Sequence, residues 1–264
     1  MGWWLAYPAI GLVAGFLAGL LGIGGGAIMV PMLVFVFTAQ QLPAEHILHV
    51  ALGTSMATIV FTSLSSMRAH HGHGAVEWRI ALALAPGMLS GSFGAALLAG
   101  LIPTRPLAIL FTALVIFVGT QLLLDLKPKN TRPLPGAAGL FAAGAIIGGV
   151  SSLAAAGGAF LAIPFLAWCN VPLRRAIGTA AATGFPIALA GSAGYIVQGW
   201  NTAGLPPASL GYVYLPALGA IVVMSMLAAP FGARLAHRLP VRRLRMVFAL
   251  MFYALALRML AGLW

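Results

Sequence analysis

Apolar residues fill ten blocks along the chain, at roughly 4–22, 27–40, 46–67, 77–101, 104–125, 137–155, 159–171, 174–198, 209–233 and 241–262, with short polar stretches between them. About 20 apolar residues in a helix cross the ~30 Å hydrocarbon core of a bilayer, so most blocks are long enough to span. The second and seventh are not: a helix of about 15 residues reaches only about 22 Å. A β-barrel would show alternating segments of about ten residues, and none is present. The expected fold is an all-α polytopic membrane protein. The first block starts almost at residue 1, without a basic leader or a small-residue cleavage site, and is read as a retained span.

Both short blocks follow glycine-rich stretches, "LAGLLGIGGGAIMVPML" (17–33) and "GGVSSLAAAGGAFLAIPFL" (148–166). Setting Pro31 on Pro164 places Gly24 and Gly25 on Gly157 and Gly158, and Gly15 on Gly148. "GTSMAT" (53–58) then matches "GTAAAT" (178–183), Pro86 pairs with Pro216, and "PTRPLAILF" (103–111) matches "PVRRLRMVF" (240–248). Residues 1–126 and 137–264 therefore read as two copies of one unit. They are joined by a linker at 127–136 within "DLKPKNTRPLPG". Each copy holds five apolar segments, an odd number, so the second is expected upside down in the bilayer. Inverted repeats of this kind are a transporter architecture, with substrate near the midplane at the repeat interface. Short, broken or re-entrant helices are expected after the glycine stretches.

Charge sets the orientation. The chain is 61% hydrophobic, 6% charged, and carries a net charge of +11. Its basic residues sit between spans, which argues against nucleic acid as a partner. If the blocks alternate in direction, Arg68, Arg79, Lys127, Lys129, Arg132, Arg174, Arg175, Arg234, Arg238, Arg242, Arg243 and Arg245 fall on one side, leaving only Arg105 and Arg258 on the other. Positive residues favour the cytoplasm, so both termini are expected outside, in an inner-membrane setting. Merging the first two blocks, and the sixth and seventh, into single spans would scatter these charges. Re-entrant hairpins in their place leave the parity unchanged. A single cysteine, Cys169, excludes an internal disulfide.

Unpaired backbone groups cost several kcal/mol in hydrocarbon, so non-helical backbone at membrane depth must be buried in protein or line a cavity. Gly22, Gly24, Gly25 and Gly26, with Gly157 and Gly158 in the second copy, can free the first N–H groups of the helices that follow. Such groups carry partial positive charge and suit an anion. Pro31 and Pro164 are candidate helix breaks. Gly11, Gly15, Gly19, Gly22, Gly87, Gly91 and Gly94 equally fit close helix packing. Hydroxyls form the second candidate set: Thr54, Ser55 and Thr58 in the third block, Ser151 and Ser152 in the sixth, and Thr179 and Thr183 in the eighth. Thr54, Thr58 and Thr62 share one helix face. Most hydroxyls of this kind bond back to their own helix, and the pairs Thr54/Thr179 and Thr58/Thr183 are favoured for substrate because they recur. No carboxylate lies mid-span. His49 is a candidate for proton uptake, and Arg68 for gathering anions at the mouth. His70, His71 and His73 form a loop cluster with no carboxylate or cysteine partner, a weak metal site. Neither an enzyme's catalytic set nor a resident cofactor or metal is indicated, and "GIGGGA" follows no strand, so it is no dinucleotide fingerprint.

"GFLAGLLGIGGGAIMVPML" and the following "ALGTSMATIVFTSLSS", with their degenerate copy in the second half, resemble the TauE/SafE family, also called the toluene-sulfonate uptake permeases. The resemblance covers nearly the whole chain. It implies an inner-membrane permease for sulfur-containing anions such as sulfite and organosulfonates, often exported. The family motif falls on Gly22, Gly24, Gly25, Gly26 and Pro31, and in the second copy on Ala155, Gly157, Gly158, Ala159 and Pro164. The expected function is export of small sulfur-containing or organic anions, held by glycine-rich helix N-termini and Thr/Ser hydroxyls. The expected partners are that anion and the lipid bilayer, with homo-oligomerisation left open. The alternatives are a non-transporting membrane scaffold or accessory subunit, and a metal or cation permease using the His70–His73 loop.

Overall fold

In a computed structural model, residues 5–21, 26–124, 132–236 and 241–261 are described. Gly22, Gly24 and Gly25 lie outside them. Ten helices appear among the described residues: α1 (Ala6–Leu21), α2 (Gly26–Ala39), α3 (Ile47–Gly72), α4 (Trp78–Leu101), α5 (Thr104–Leu124), α6 (Ala137–Leu153), α7 (Ala159–Trp168), α8 (Leu173–Gly199), α9 (Leu215–Ala236) and α10 (Val241–Ala261). The hydropathy blocks anticipated each of them. Of these, α3, α4, α5, α8 and the Leu215–Gly232 part of α9 are long and apolar enough to cross a membrane. The protein is an all-α polytopic membrane protein. Two elements depart from the expected pattern. The block starting at 209 opens with a two-stranded hairpin, β1 (Ser209–Leu210) paired with β2 (Val213–Tyr214), before α9 begins. The supposed His70–His73 loop is mostly helix, since α3 runs on to Gly72.

The two central helices are α3 and α8, buried along most of their length; α4, α5 and α9 expose more of theirs. Small residues set the tightest approaches around them. Cβ atoms added at Gly11 and Gly15 would strike the α9 backbone at Ile221 and Ser225. Ones added at Gly144 and Gly148 would strike the α4 backbone at Leu84 and Met88, and ones at Gly87 and Gly91 the α6 backbone at Phe141 and Ala145. These glycines are where two backbones meet, as small-residue packing in membranes requires. Gly94 is different: nothing lies within 4 Å of its missing Cβ. The α1–α9 contact is closed by Ser225 Oγ donating to the Gly11 carbonyl at 3.0 Å.

Helices α1 and α2 form a hairpin whose two ends come together. Tyr7, at the start of α1, donates to Gln40 just past α2 at 2.8 Å. Helices α6 and α7 form a second hairpin, closed at its base by Arg132 N donating to the Trp168 carbonyl at 2.9 Å. The second tip is a true break. Helix α6 stops at Leu153, Ala155 and Gly158 adopt positive φ (44° and 78°), and α7 starts at Ala159 with Gly158 as its N-cap. Glycine adopts such a φ without strain, which suits Gly158, whereas Ala155 holds it as a side-chain-bearing residue inside the turn. The tips meet. A Cβ on Gly26 would overlap the Ala155 carbonyl oxygen and Ile59 Cδ1, and one on Gly158 would overlap Ile187 Cδ1. Ile59 and Ile187 are near the middles of α3 and α8. The start of α2 and the turn between α6 and α7 thus meet at half depth.

Pro31 and Pro164 are not the breaks. Both lie inside continuous helices, α2 and α7. A proline forfeits one helical hydrogen bond and crowds the carbonyl four residues earlier. Near the start of so short a helix that does not end it; α2 already begins at Gly26, and in the second hairpin the chain is broken six residues earlier, at Gly158.

Candidate functional site

A cavity of about 360 Å³ opens beside the meeting tips. Its wall is the second half of α3, with Ile59, Thr62, Ser63, Ser66 and His70. Across from it stand Gly15 of α1, Ala180 and Gly184 of α8, and Ser225 and Pro230 of α9; Gly157 and Ala159 come from the second tip. Apolar atoms dominate the surface, and no Asp, Glu, Lys or Arg lines it among the described residues. At about 30 Å³ per water, the space holds about a dozen waters, which is room for a small oxyanion with part of its hydration shell, or an organosulfonate.

The electrostatics of this space come from the backbone. Among the described residues, the N–H groups of Gly157, Ala159 and Phe160 donate to no protein acceptor, whereas Leu161 and Ala162 already bond back to the Gly158 carbonyl. These are the unpaired donors of the first turn of α7, and the helix dipole adds positive potential there. Ser151, at 0% exposure, stands by the same turn: its Oγ is 3.6 Å from the position of a Gly158 Cβ and has no partner. Ser152 is equally buried and equally unpartnered.

The recurring threonines go elsewhere. Thr54 Oγ1 accepts from Tyr214 N at 3.0 Å, and Thr179 Oγ1 accepts from Glu77 N at 3.0 Å. Each therefore caps the backbone just ahead of a long helix, α9 or α4. Glycines beside them do matching work: Gly53 lies against the Tyr212 carbonyl and Gly178 against the Ala75 carbonyl. Thr58 Oγ1 donates to the Thr54 carbonyl at 2.9 Å and Thr183 Oγ1 to the Ala180 carbonyl at 2.8 Å, the back-bonding that helical hydroxyls commonly adopt. Ser55 is fully buried with no partner. None of Thr54, Ser55, Thr58, Ser151, Ser152, Thr179 and Thr183 lines the cavity. The hydroxyls that do are Thr62, Ser63, Ser65, Ser66 and Ser225; of these Thr62 carried a sequence signal, through the helix face it shares with Thr54 and Thr58, while Ser63 and Ser225 carried none.

His49 is buried at the other end of α3. Its Nε2–H is shared between the Ala99 and Ile102 carbonyls, each at 3.1 Å, and its ring lies 5.1 Å from that of Tyr212. It ties the start of α3 to the end of α4, away from the cavity. Arg68 is exposed near the cavity end of α3. The histidines do not converge: His70 lines the cavity, while His71 Nδ1 accepts from Trp78 Nε1 at 3.0 Å. Among the described residues no group of three or more His, Cys, Asp or Glu could hold a metal.

Short helices that start at half depth beside a cavity, inside a bundle of long apolar helices, are the architecture of a polytopic membrane protein built around a central site. The model of the sulfite exporter TauE/SafE family matches residues 7–259, and the chain belongs to that family. A "Probable membrane transporter protein" of Haemophilus influenzae (strain ATCC 51907 / DSM 11121 / KW20 / Rd) is 36% identical over 255 residues, 95% of each chain. "Probable membrane transporter protein YdhB" of Bacillus subtilis (strain 168) is 28% identical over 233 residues, 86% of this chain and 87% of its own. "Probable membrane transporter protein MJ0441" of Methanocaldococcus jannaschii is 24% identical, over 95% of this chain and 93% of its own. No solved structure matches. The family and these relatives indicate a transporter rather than an enzyme.

Proposed function

We propose that the protein exports small sulfur-containing or organic oxyanions, such as sulfite or an organosulfonate, across the inner membrane, binding them at the hairpin tips. The observation that carries this is the floor of the cavity, where the unpaired N–H groups at the start of α7 stand beside a space free of carboxylates. Amide donors hold an oxyanion by hydrogen bonds and dipole, without the deep trap that a buried lysine or arginine would make. Ser65 and Ser66 supply hydroxyl donors along the wall, whereas Thr62 and Ser63 donate back to the Ile59 and Val60 carbonyls of their own helix. The negative-inside potential drives anions outward, which favours export.

The two halves are inverted copies in this proposal, with residues 1–126 and 137–264 joined by the linker at 127–136. Matched contacts support it. Thr54 with Tyr214 mirrors Thr179 with Glu77, Gly15 on Ser225 mirrors Gly148 on Met88, and the left-handed Gly211 before α9 mirrors Gly74 before α4. These pairs set α4 against α9 so that Leu84 stands where Ile221 does, and Pro86 falls opposite Val223 rather than Pro216. The hairpins enter from opposite ends, as inversion requires. Arg68, Arg79, Arg174 and Arg175 gather at the cavity end, where Arg175 is ion-paired with Glu77. That end is assigned to the cytoplasm and both termini to the far side.

Proteoliposomes loaded with labelled sulfite, sulfoacetate or taurine test the substrate. Protein-dependent, saturable efflux of at least one of them is expected, together with a raised melting temperature in its presence. Absence of flux and of stabilisation by every oxyanion would leave the scaffold reading in its place.

A further inference from the structure

The cavity is one-sided. At its end of the bundle α9 stands away from α3, leaving Ser66, Ala181 and Ala229 on open walls. At the opposite end α4 is packed onto α8. Ser92 Oγ donates to the Ile187 carbonyl at 2.7 Å, and a Cβ on Gly191 would lie 2.9 Å from both Ser92 Oγ and Ser152 Oγ and overlap Met56 Cε. Under the register set by Thr54/Thr179 and by Gly15/Gly148, these are the same positions. Gly191 is the counterpart of Ser66, Met56 of Ala181, and Ser92 of Ala229. One end holds a chamber; the other holds its counterpart with the walls in contact.

The closed end carries an anomaly that this explains. Ser55, Ser151 and Tyr195 are each at 0% exposure, and none of their hydroxyls has a hydrogen-bond partner. A buried unpaired hydroxyl costs about 1–3 kcal/mol, so three in one region are not expected of a permanently dry core. Their counterparts are Ala180, Ala18 and His70, all of which line the open cavity. The three unpartnered hydroxyls therefore occupy positions that face water when their own end is open.

We infer that Ser55, Ser151 and Tyr195 line a second chamber, collapsed in this structure, which opens to the opposite membrane face when α4 separates from α8 and receives the same class of small oxyanion from the hairpin tips. This assignment rests on the inverted-copy proposal. Hydration then supplies the missing partners of the three hydroxyls. Gly191 and Gly194 give α8 the flat face that lets α4 seal it, since a Cβ on Gly191 would crowd Ser92 Oγ and one on Gly194 would strike Ala96 Cβ.

Single-cysteine labelling tests this without any substrate. In a Cys169→Ala background, Ser66→Cys, Ser55→Cys and Ser151→Cys are exposed to a membrane-impermeant maleimide in right-side-out and in inside-out vesicles. Ser66→Cys is expected to label from the cavity face. Ser55→Cys and Ser151→Cys are expected to label from the opposite face, at least tenfold more slowly. The inference is overturned if both stay unlabelled from that face, or label only from the cavity face, in preparations where each variant elutes as a monodisperse peak and Ser66→Cys reacts. Labelling from the opposite face with no oxyanion flux would uphold the chamber and reject the substrate; flux without such labelling would do the reverse.

Discussion

Replacing Gly26 by alanine adds one methyl group at the point where the two hairpin tips touch. The new Cβ would fall inside the Ala155 carbonyl oxygen and against Ile59 Cδ1. The side-chain end can rotate away, but the carbonyl belongs to a turn already held by Ala155 N and Ala156 N bonding back to Ser152 and Ser151. The tips must therefore part by about 1 Å to restore ordinary contact distances, and neighbouring dispersion contacts weaken by a quarter to a half over such a gap. Overpacking of this kind costs about 1–3 kcal/mol. The helix itself pulls the other way only weakly, since the preference of about 1 kcal/mol for alanine over glycine belongs to helix interiors and Gly26 is the first residue of α2. Gly94→Ala is the matched control: it makes the same change inside α4 with nothing within 4 Å to meet. The expected results are a lower melting temperature and at least a tenfold loss of oxyanion flux for Gly26→Ala, with unchanged flux and equal or higher stability for Gly94→Ala. Thermal unfolding in detergent and proteoliposome efflux read both quantities. Gly26→Ala as stable and as active as Gly94→Ala would refute the tip-to-tip contact and the site built on it.

Thr54→Val and Thr179→Val each strip the acceptor from a backbone N–H, so each should destabilise by about 1–3 kcal/mol, and serine at either position should restore stability; a shift in apparent substrate affinity with no change in melting would show that these hydroxyls serve the substrate instead. His49→Leu should lower stability by leaving the Ile102 carbonyl without the His49 donor and the Ala99 carbonyl with only the Ile102 N–H, while the pH profile of flux stays as in the parent, a profile measured in liposomes at stepped pH. Glu77→Gln breaks an ion pair whose Arg175 side chain is largely exposed, so unfolding should shift by less than about 1 kcal/mol. Burial pushes the Cys169 thiol above its ordinary range, so maleimide labelling of the parent protein at neutral pH should be slow and should accelerate on denaturation.

The span pattern was legible because hydrophobicity and length are local properties: a block of apolar residues must cross or dip into lipid whatever its neighbours do. The break at Ala154–Gly158 was legible for a similar reason, since adjacent glycines resist a helix and permit the left-handed turn at Gly158. The match of "PTRPLAILF" to "PVRRLRMVF" likewise marked the starts of α5 and α10 correctly. Partners distant in the chain were not legible. Thr54 recurs as Thr179 because both cap backbone at Tyr214 and Glu77, and a repeated residue reads the same whether it serves a cap or a ligand. Pro86 was set against Pro216 by residue identity, while the register proposed from the contacts at Leu84 and Ile221 sets the helices two turns differently. Which end of the bundle is open was beyond any pattern, because hydrophobicity and length do not say how closely α4 and α9 pack on the central helices. The cavity and the dry hydroxyls at the opposite end follow from that packing, and packing between helices distant in the chain is decided by the tertiary structure alone.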